Sequence, residues 1–207
     1  MAEPRTQKTA PSEPWLTRRR EPLAFMLKLG VLGSALVFGF ILFAYLVRQS
    51  GPDWVDVSLP RVFWGSTAVM VVSSFTFHAA RRALRHERFL HYRLLLATSF
   101  GLGLTFISLQ LLGWRDMMVE GVALSRNAAG AFIYLLSGLH IAHVLGGLAA
   151  MGVLLVEALR HRSYVDAFVY SVNPPKQLRV RLAALYWHFV DVLWLGLFLF
   201  LLYHHQR

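Results

Sequence analysis

Two polar pairs lie inside otherwise apolar sequence. His140 and His143 are three residues apart in the run 128–156, and His188 and Asp191 repeat that spacing in the run 182–203. On a helix, residues i and i+3 are surface neighbours, so each pair offers two polar groups side by side. His78 and Gln110 are two further polar side chains near the ends of apolar runs. Four kinds of chemistry are open to such residues. The histidines could ligate a haem or a metal ion. A membrane haem, however, takes its two histidines from facing helices, so His140 or His143 would have to face His188. Asp and His chains also carry protons across membranes. Asp191 is the only carboxylate deep in an apolar run, with Glu157 at the end of another, and this leaves a complete proton path unwritten. The third reading is a hydrogen-bond cluster orienting the fourth and fifth helices, at ~0.6–2 kcal/mol per bond. The fourth is a lipid headgroup or water chain reaching between helices. Gly138, Gly146, Gly147 and Gly196 flank the pairs, and small residues let helix backbones approach closely.

The elements that must position these residues are legible from hydropathy. Five runs, 29–47, 62–80, 94–114, 128–156 and 182–203, are long and apolar enough to cross a bilayer core. The expected fold is all-α, a polytopic five-helix membrane bundle. The fourth run would form about 43 Å of helix, longer than a ~30 Å core, so it should tilt or project. Residues 1–25 are expected as a polar N-terminal tail without a signal peptide, Trp15 being a candidate interfacial anchor, and 26–207 as one membrane domain. The segment Asn173-Pro174-Pro175-Lys176 should stop any helix and pin the turn into the fifth span.

Only 15% of the 207 residues are charged and 56% are hydrophobic, too few charges to coat a water-facing surface. The net charge of +10 could suggest a nucleic-acid partner. The basic residues lie at the ends of apolar runs instead, and they alternate: 16 Lys and Arg fall on one side of the bundle and five on the other. By the positive-inside rule the N-terminus is cytoplasmic and the C-terminus outside, and nucleic acid drops out. With no cysteine, disulfides, thiolate metal sites and thiol nucleophiles are excluded.

Beyond these patterns, Tyr186-Trp187-His188-Phe189-Val190-Asp191-Val192-Leu193-Trp194 resembles the closing signature of cytochrome c oxidase subunit III. In the fourth run, Ser137-Gly138-Leu139-His140-Ile141-Ala142-His143-Val144 is similar to that family's Thr-Gly-x-His-Gly-x-His-Val. Ser66-Thr67 and Ser73-Ser74-x-Thr76 echo its second-span pattern, and Gln110 matches its helix-ending glutamine. The resemblance implies a compact, bacterial five-helix form in the cytoplasmic membrane, covering residues from about 25 onward. It implies an accessory, non-redox subunit of a proton-pumping terminal oxidase, with no catalytic or metal-ligating residue of its own. Haem and copper would belong to partner subunits. The implied partners are catalytic subunit I, subunit II, a small subunit IV and phospholipid. His140, His143, Tyr186, Trp187, His188 and Asp191 are then candidate packing or lipid contacts.

Three family carboxylates are missing: the positions hold Ala35, Gly113 and Arg181, the last a cation. Whatever those acids do for proton collection or lipid contact does not carry over. A quinol oxidase or nitric oxide reductase would employ an equivalent subunit, and a b-type cytochrome is the remaining alternative. The electron donor is chosen by other subunits.

Overall fold

The computed structural model describes residues 20–51, 54, 57–122, 128–160, 168–169 and 173–205, with side chains from Pro22 onward. Trp15, Asp53, Asp56, Arg126 and Arg207 lie outside these. All five apolar runs are helices: α1 (Arg20–Gln49), α2 (Val62–Arg85), α3 (Phe89–Val119), α4 (Ala128–Arg160) and α5 (Pro174–His205). Each is long and apolar enough to span a membrane. α1 begins inside the stretch expected as a polar tail.

α2 to α5 pack in a ring, α2 on α3, α3 on α4, α4 on α5, and α5 back on α2. α1 lies outside this ring against α4 and α5. Burial follows: α5 buries 39% of its most apolar window and α1 only 11%. A helix that is apolar all round needs an apolar surround. In α1 that surround is not supplied by the chain itself, since Leu29, Leu32, Leu36, Phe40 and Phe43 are exposed.

The ends are made by recognisable caps. α2 and α3 both close with paired bonds from the two residues after the C-cap: Glu87 N to Leu84 O and Arg88 N to Ala83 O, then Gly121 N to Met118 O and Val122 N to Met117 O. This Schellman geometry needs a left-handed residue. Gly121 supplies it with φ 81°, whereas in the first turn Glu87 adopts φ 58° without a glycine's freedom. At α5 the prolines sit at the turn into the fifth span, as expected, but they begin a helix there as well as barring one before it. Pro174 and Pro175 open the helix, and Asn173 O accepts from the backbone N–H of Lys176 and Gln177 at 3.0 and 3.1 Å. A proline at the first helical position loses nothing, because its N–H would have no intrahelical partner there.

Candidate functional site: a polar seam along the last helix

α5 runs antiparallel to α2, and three hydrogen bonds set their register. Trp194 Nε1–H donates to Thr67 Oγ1 at 3.0 Å, Trp187 Nε1–H to Ser73 Oγ at 3.0 Å, and Ser74 Oγ meets His188 Nδ1 at 2.7 Å. The acceptors are themselves held. Thr67 Oγ1–H bonds Phe63 O at 2.7 Å, and Ser73 Oγ–H bonds Ser99 O at 3.4 Å, carrying the network onto α3. These hydroxyls recur every seven residues along α2, Ser66 with Ser73 and Thr67 with Ser74, which returns them to one face after two turns. They are the functional residues that the histidine spacing alone did not single out.

Trp187 is the wedge of the bundle, fully buried. A Cβ at Gly103 of α3 would lie 2.8 Å from its Cη2, and one at Gly147 of α4 2.8 Å from its Cε3. Both positions therefore require glycine for the indole to fit. Gly138 packs on Trp114, and Gly146 faces the Tyr186 hydroxyl. Gly196 departs from expectation: it is exposed and nothing lies within 4 Å of a Cβ there. Gly113 has its own reason, because the Phe63 ring occupies the space where any side chain would begin. A glutamate could not be placed at 113 without moving Phe63.

Contrary to expectation, the two polar pairs do not form one cluster between α4 and α5. Residues three apart on a helix still diverge by about 60°, and packing uses that angle. His140 is fully buried between rings, its centroid 5.0 Å from Trp194 and 5.5 Å from Phe106. His143 turns towards α1. Its Nδ1–H donates to Leu139 O at 2.8 Å, and its Nε2 lies 3.0 Å from Ser34 Oγ, with the Phe38 ring 5.4 Å away. Tyr186 O–H donates to the backbone oxygen of His143 at 3.1 Å, tying α5 to α4. His188 and Asp191 face α2. Asp191 Oδ2 is 3.9 Å from His188 Nδ1, with Ser74 beside both, and the aspartate is only 4% exposed. His78 is exposed, its ring 6.2 Å from that of His188. Gln110 is buried and donates to Ser66 Oγ at 2.8 Å.

His140, His143 and His188 thus point to three different helix interfaces. Among the described residues no three His, Asp or Glu side chains gather as a metal cluster. What the arrangement does chemically is hold helices. The Trp187 and Trp194 N–H groups and the Tyr186 O–H, each with its acceptor on another helix, set the rotation and depth of α5, while His143 and Tyr45 hold α1. Tyr45 Oη lies 3.1 Å from His205 Nε2 at the other end of α5.

The family model for cytochrome c oxidase subunit III matches residues 57–206, the whole of α2 to α5. Similar curated proteins include a probable cytochrome c oxidase subunit 3 of Mycobacterium bovis, 31% identical over 81% of both chains. The cytochrome c oxidase subunit 3 of Alkalihalophilus pseudofirmus is 28% identical over 93% of this chain and 92% of its own. The cytochrome bo(3) ubiquinol oxidase subunit 3 of Pseudomonas aeruginosa is 28% identical over 77% and 73%. The seam at residues 186–194, the five apolar helices and these matches lead to one conclusion: the chain belongs to the cytochrome c oxidase subunit III family.

Proposed function

We propose that this chain is an accessory, non-redox subunit of a proton-pumping terminal oxidase in a bacterial cytoplasmic membrane. It stabilises the catalytic subunit I, contacts subunit II and a small subunit IV, holds phospholipid and supports sustained proton uptake. Haem and copper reside in its partners. The observation that carries this reading is the use of residues 186–194. Trp187, His188 and Trp194 direct polar atoms to α2, and Tyr186 to α4, so these four side chains of the signature tie the last helix into the bundle. The positive-inside count orients the scaffold with the start of α1 in the cytoplasm. A second reading, the equivalent subunit of a quinol oxidase, is favoured by the similarity to the bo(3) ubiquinol oxidase subunit.

The test is co-purification. The affinity-tagged chain, extracted in mild detergent, should bring down a haem-containing oxidase in equal amount. Its oxidation of cytochrome c or of quinol then decides between the two readings. A chain that carries stoichiometric haem after its partners are stripped away would overturn both.

A further inference from the structure

Two side chains inside the ring of helices have polar atoms that packing does not explain. Gln110 of α3 and His140 of α4 are both fully buried. Gln110 Nε2–H donates to Ser66 Oγ at 2.8 Å, and Ser66 in turn donates to Phe63 O at 3.0 Å. Gln110 Oε1, however, has no hydrogen-bond partner among the described residues, and neither ring nitrogen of His140 has one. A neutral imidazole carries one N–H and one lone pair in either tautomer. Unpaired groups of this kind are costly where water is excluded, and a bundle that keeps them needs something to pair them with.

The two side chains lie at one depth. Gly103 faces Leu148, and Trp114 Nε1–H donates to Ser137 Oγ at 2.9 Å. These contacts are eleven residues apart on each helix, 103 to 114 on α3 and 148 to 137 on α4, so the helices run antiparallel and in step. Gln110 therefore comes level with Ile141, one residue and about 1.5 Å from His140. The two also share neighbours. Phe106, one turn from Gln110 on the same buried face, has its ring 5.5 Å from that of His140. The Trp194 ring lies 5.1 Å from Phe106 and 5.0 Å from His140, and its N–H goes to Thr67, next to Ser66. Ser66, Gln110 and His140 thus meet around two aromatic rings, one polar group from each of three helices.

We infer that this is an internal hydration site, in which an ordered water bridges Gln110 Oε1 and a ring nitrogen of His140. The water donates to the amide oxygen, and at the imidazole it donates or accepts, so it serves either tautomer. Gln110, His140 and the remaining lone pair of Ser66 offer the two to four partners that a buried water takes. Two observations select water over other ligands. Gln110 and His140 make no direct bond, so the bridging group must be small and hydrogen-bond on both sides. A cation would want a carboxylate, and Asp191 lies instead beside Ser74 and His188 on the α2 side. The water completes a polar tie from Phe63 O through Ser66 and Gln110 to His140, crossing α2, α3 and α4 where Trp194 brings in α5. Every group in it belongs to this chain, so it stands apart from the question of which oxidase co-purifies.

The experiment uses the purified complex carrying the full-length chain. An electron cryo-microscopy map that shows ordered water should place a peak about 2.7–3.2 Å from both Gln110 Oε1 and one His140 nitrogen. A well-ordered pair of side chains with no peak between them, a direct bond between the two, or an ion-like peak at shorter contacts would overturn the inference. Amide exchange in α3 and α4 then tests the coupling. His140→Phe keeps the ring and removes the nitrogens, and should speed exchange by about fivefold, the worth of one hydrogen bond. In a Gln110→Met background, where the bridge is already lost, the same change should do almost nothing. Equal effects in the two backgrounds, or slower exchange on removing the imidazole, would mean that the water is not shared. Should a variant fail to assemble, the wild-type map decides by itself.

Discussion

At the scale of single residues, the seam is a set of buried donors whose acceptors lie on other helices. Ser73→Ala strands the Trp187 N–H in an apolar interior, and should lower the stability of the purified protein by ~0.5–2 kcal/mol. Thr98→Ala, which removes an exposed hydroxyl bonded within its own helix, should leave the melting temperature unchanged. The glycines divide in the same way. Gly147→Ala drives a methyl group against Trp187 and should cost ~1–3 kcal/mol by overpacking, read in the same melts. Gly196→Ala meets open space and should be neutral or slightly stabilising. Sequence alone marked all four flanking glycines as close-approach sites. What it could not reveal is which way each faces, because that depends on helix rotation, and rotation is fixed by partners elsewhere in the chain. The same limit hid the partners of Ser73 and Ser74, which the family pattern had marked: a serine in a span can bond its own preceding turn or another helix.

Among the elements, α1 stands apart. Its hydrogen bonds to the bundle include Ser34 with His143 and Tyr45 with His205, supplemented by ring contacts of Phe38 and Tyr45. Ser34→Ala with Tyr45→Phe should therefore speed amide exchange in α1 while α2 to α5 keep their protection. Equal loosening of all five helices would show that α1 is integral to the core. The five spans were legible because an uninterrupted apolar run of this length has few other uses. Their ends were not. The charged last turn of α2 and the first two turns of α5 are helical yet polar, and a proline pair reads as a breaker until its place at the helix start is seen. The pairing of α5 with α2 was also illegible. Spacing showed that His188 and Asp191 share a face, but only packing shows that α2 and not α4 lies against it.

For the whole molecule, the charge asymmetry predicts an orientation, and the proposed scaffold role makes the seam a determinant of assembly. With no native cysteine, single replacements report topology cleanly. A membrane-impermeant maleimide applied to intact cells with a permeabilised outer envelope should label Ser58→Cys, at the start of α2, and spare His86→Cys, at its end. The reverse pattern would invert the topology. Asp191 joins the scales. A carboxylate at the centre of a span costs ~2.5–3.5 kcal/mol on insertion scales, and here it is buried beside His188 and Ser74, where the last helix meets α2. If the chain is a scaffold, loosening that contact should release the subunit before it slows the chemistry of its partners. The decisive measurement is the initial rate of oxygen reduction per catalytic haem, taken together with the stoichiometry of this chain, in Asp191→Asn and His188→Ala complexes. The account predicts a reduced share of this subunit after detergent extraction, with the initial rate close to wild type in complexes that retain it. Loss of initial oxygen reduction in complexes shown to be fully assembled would contradict it.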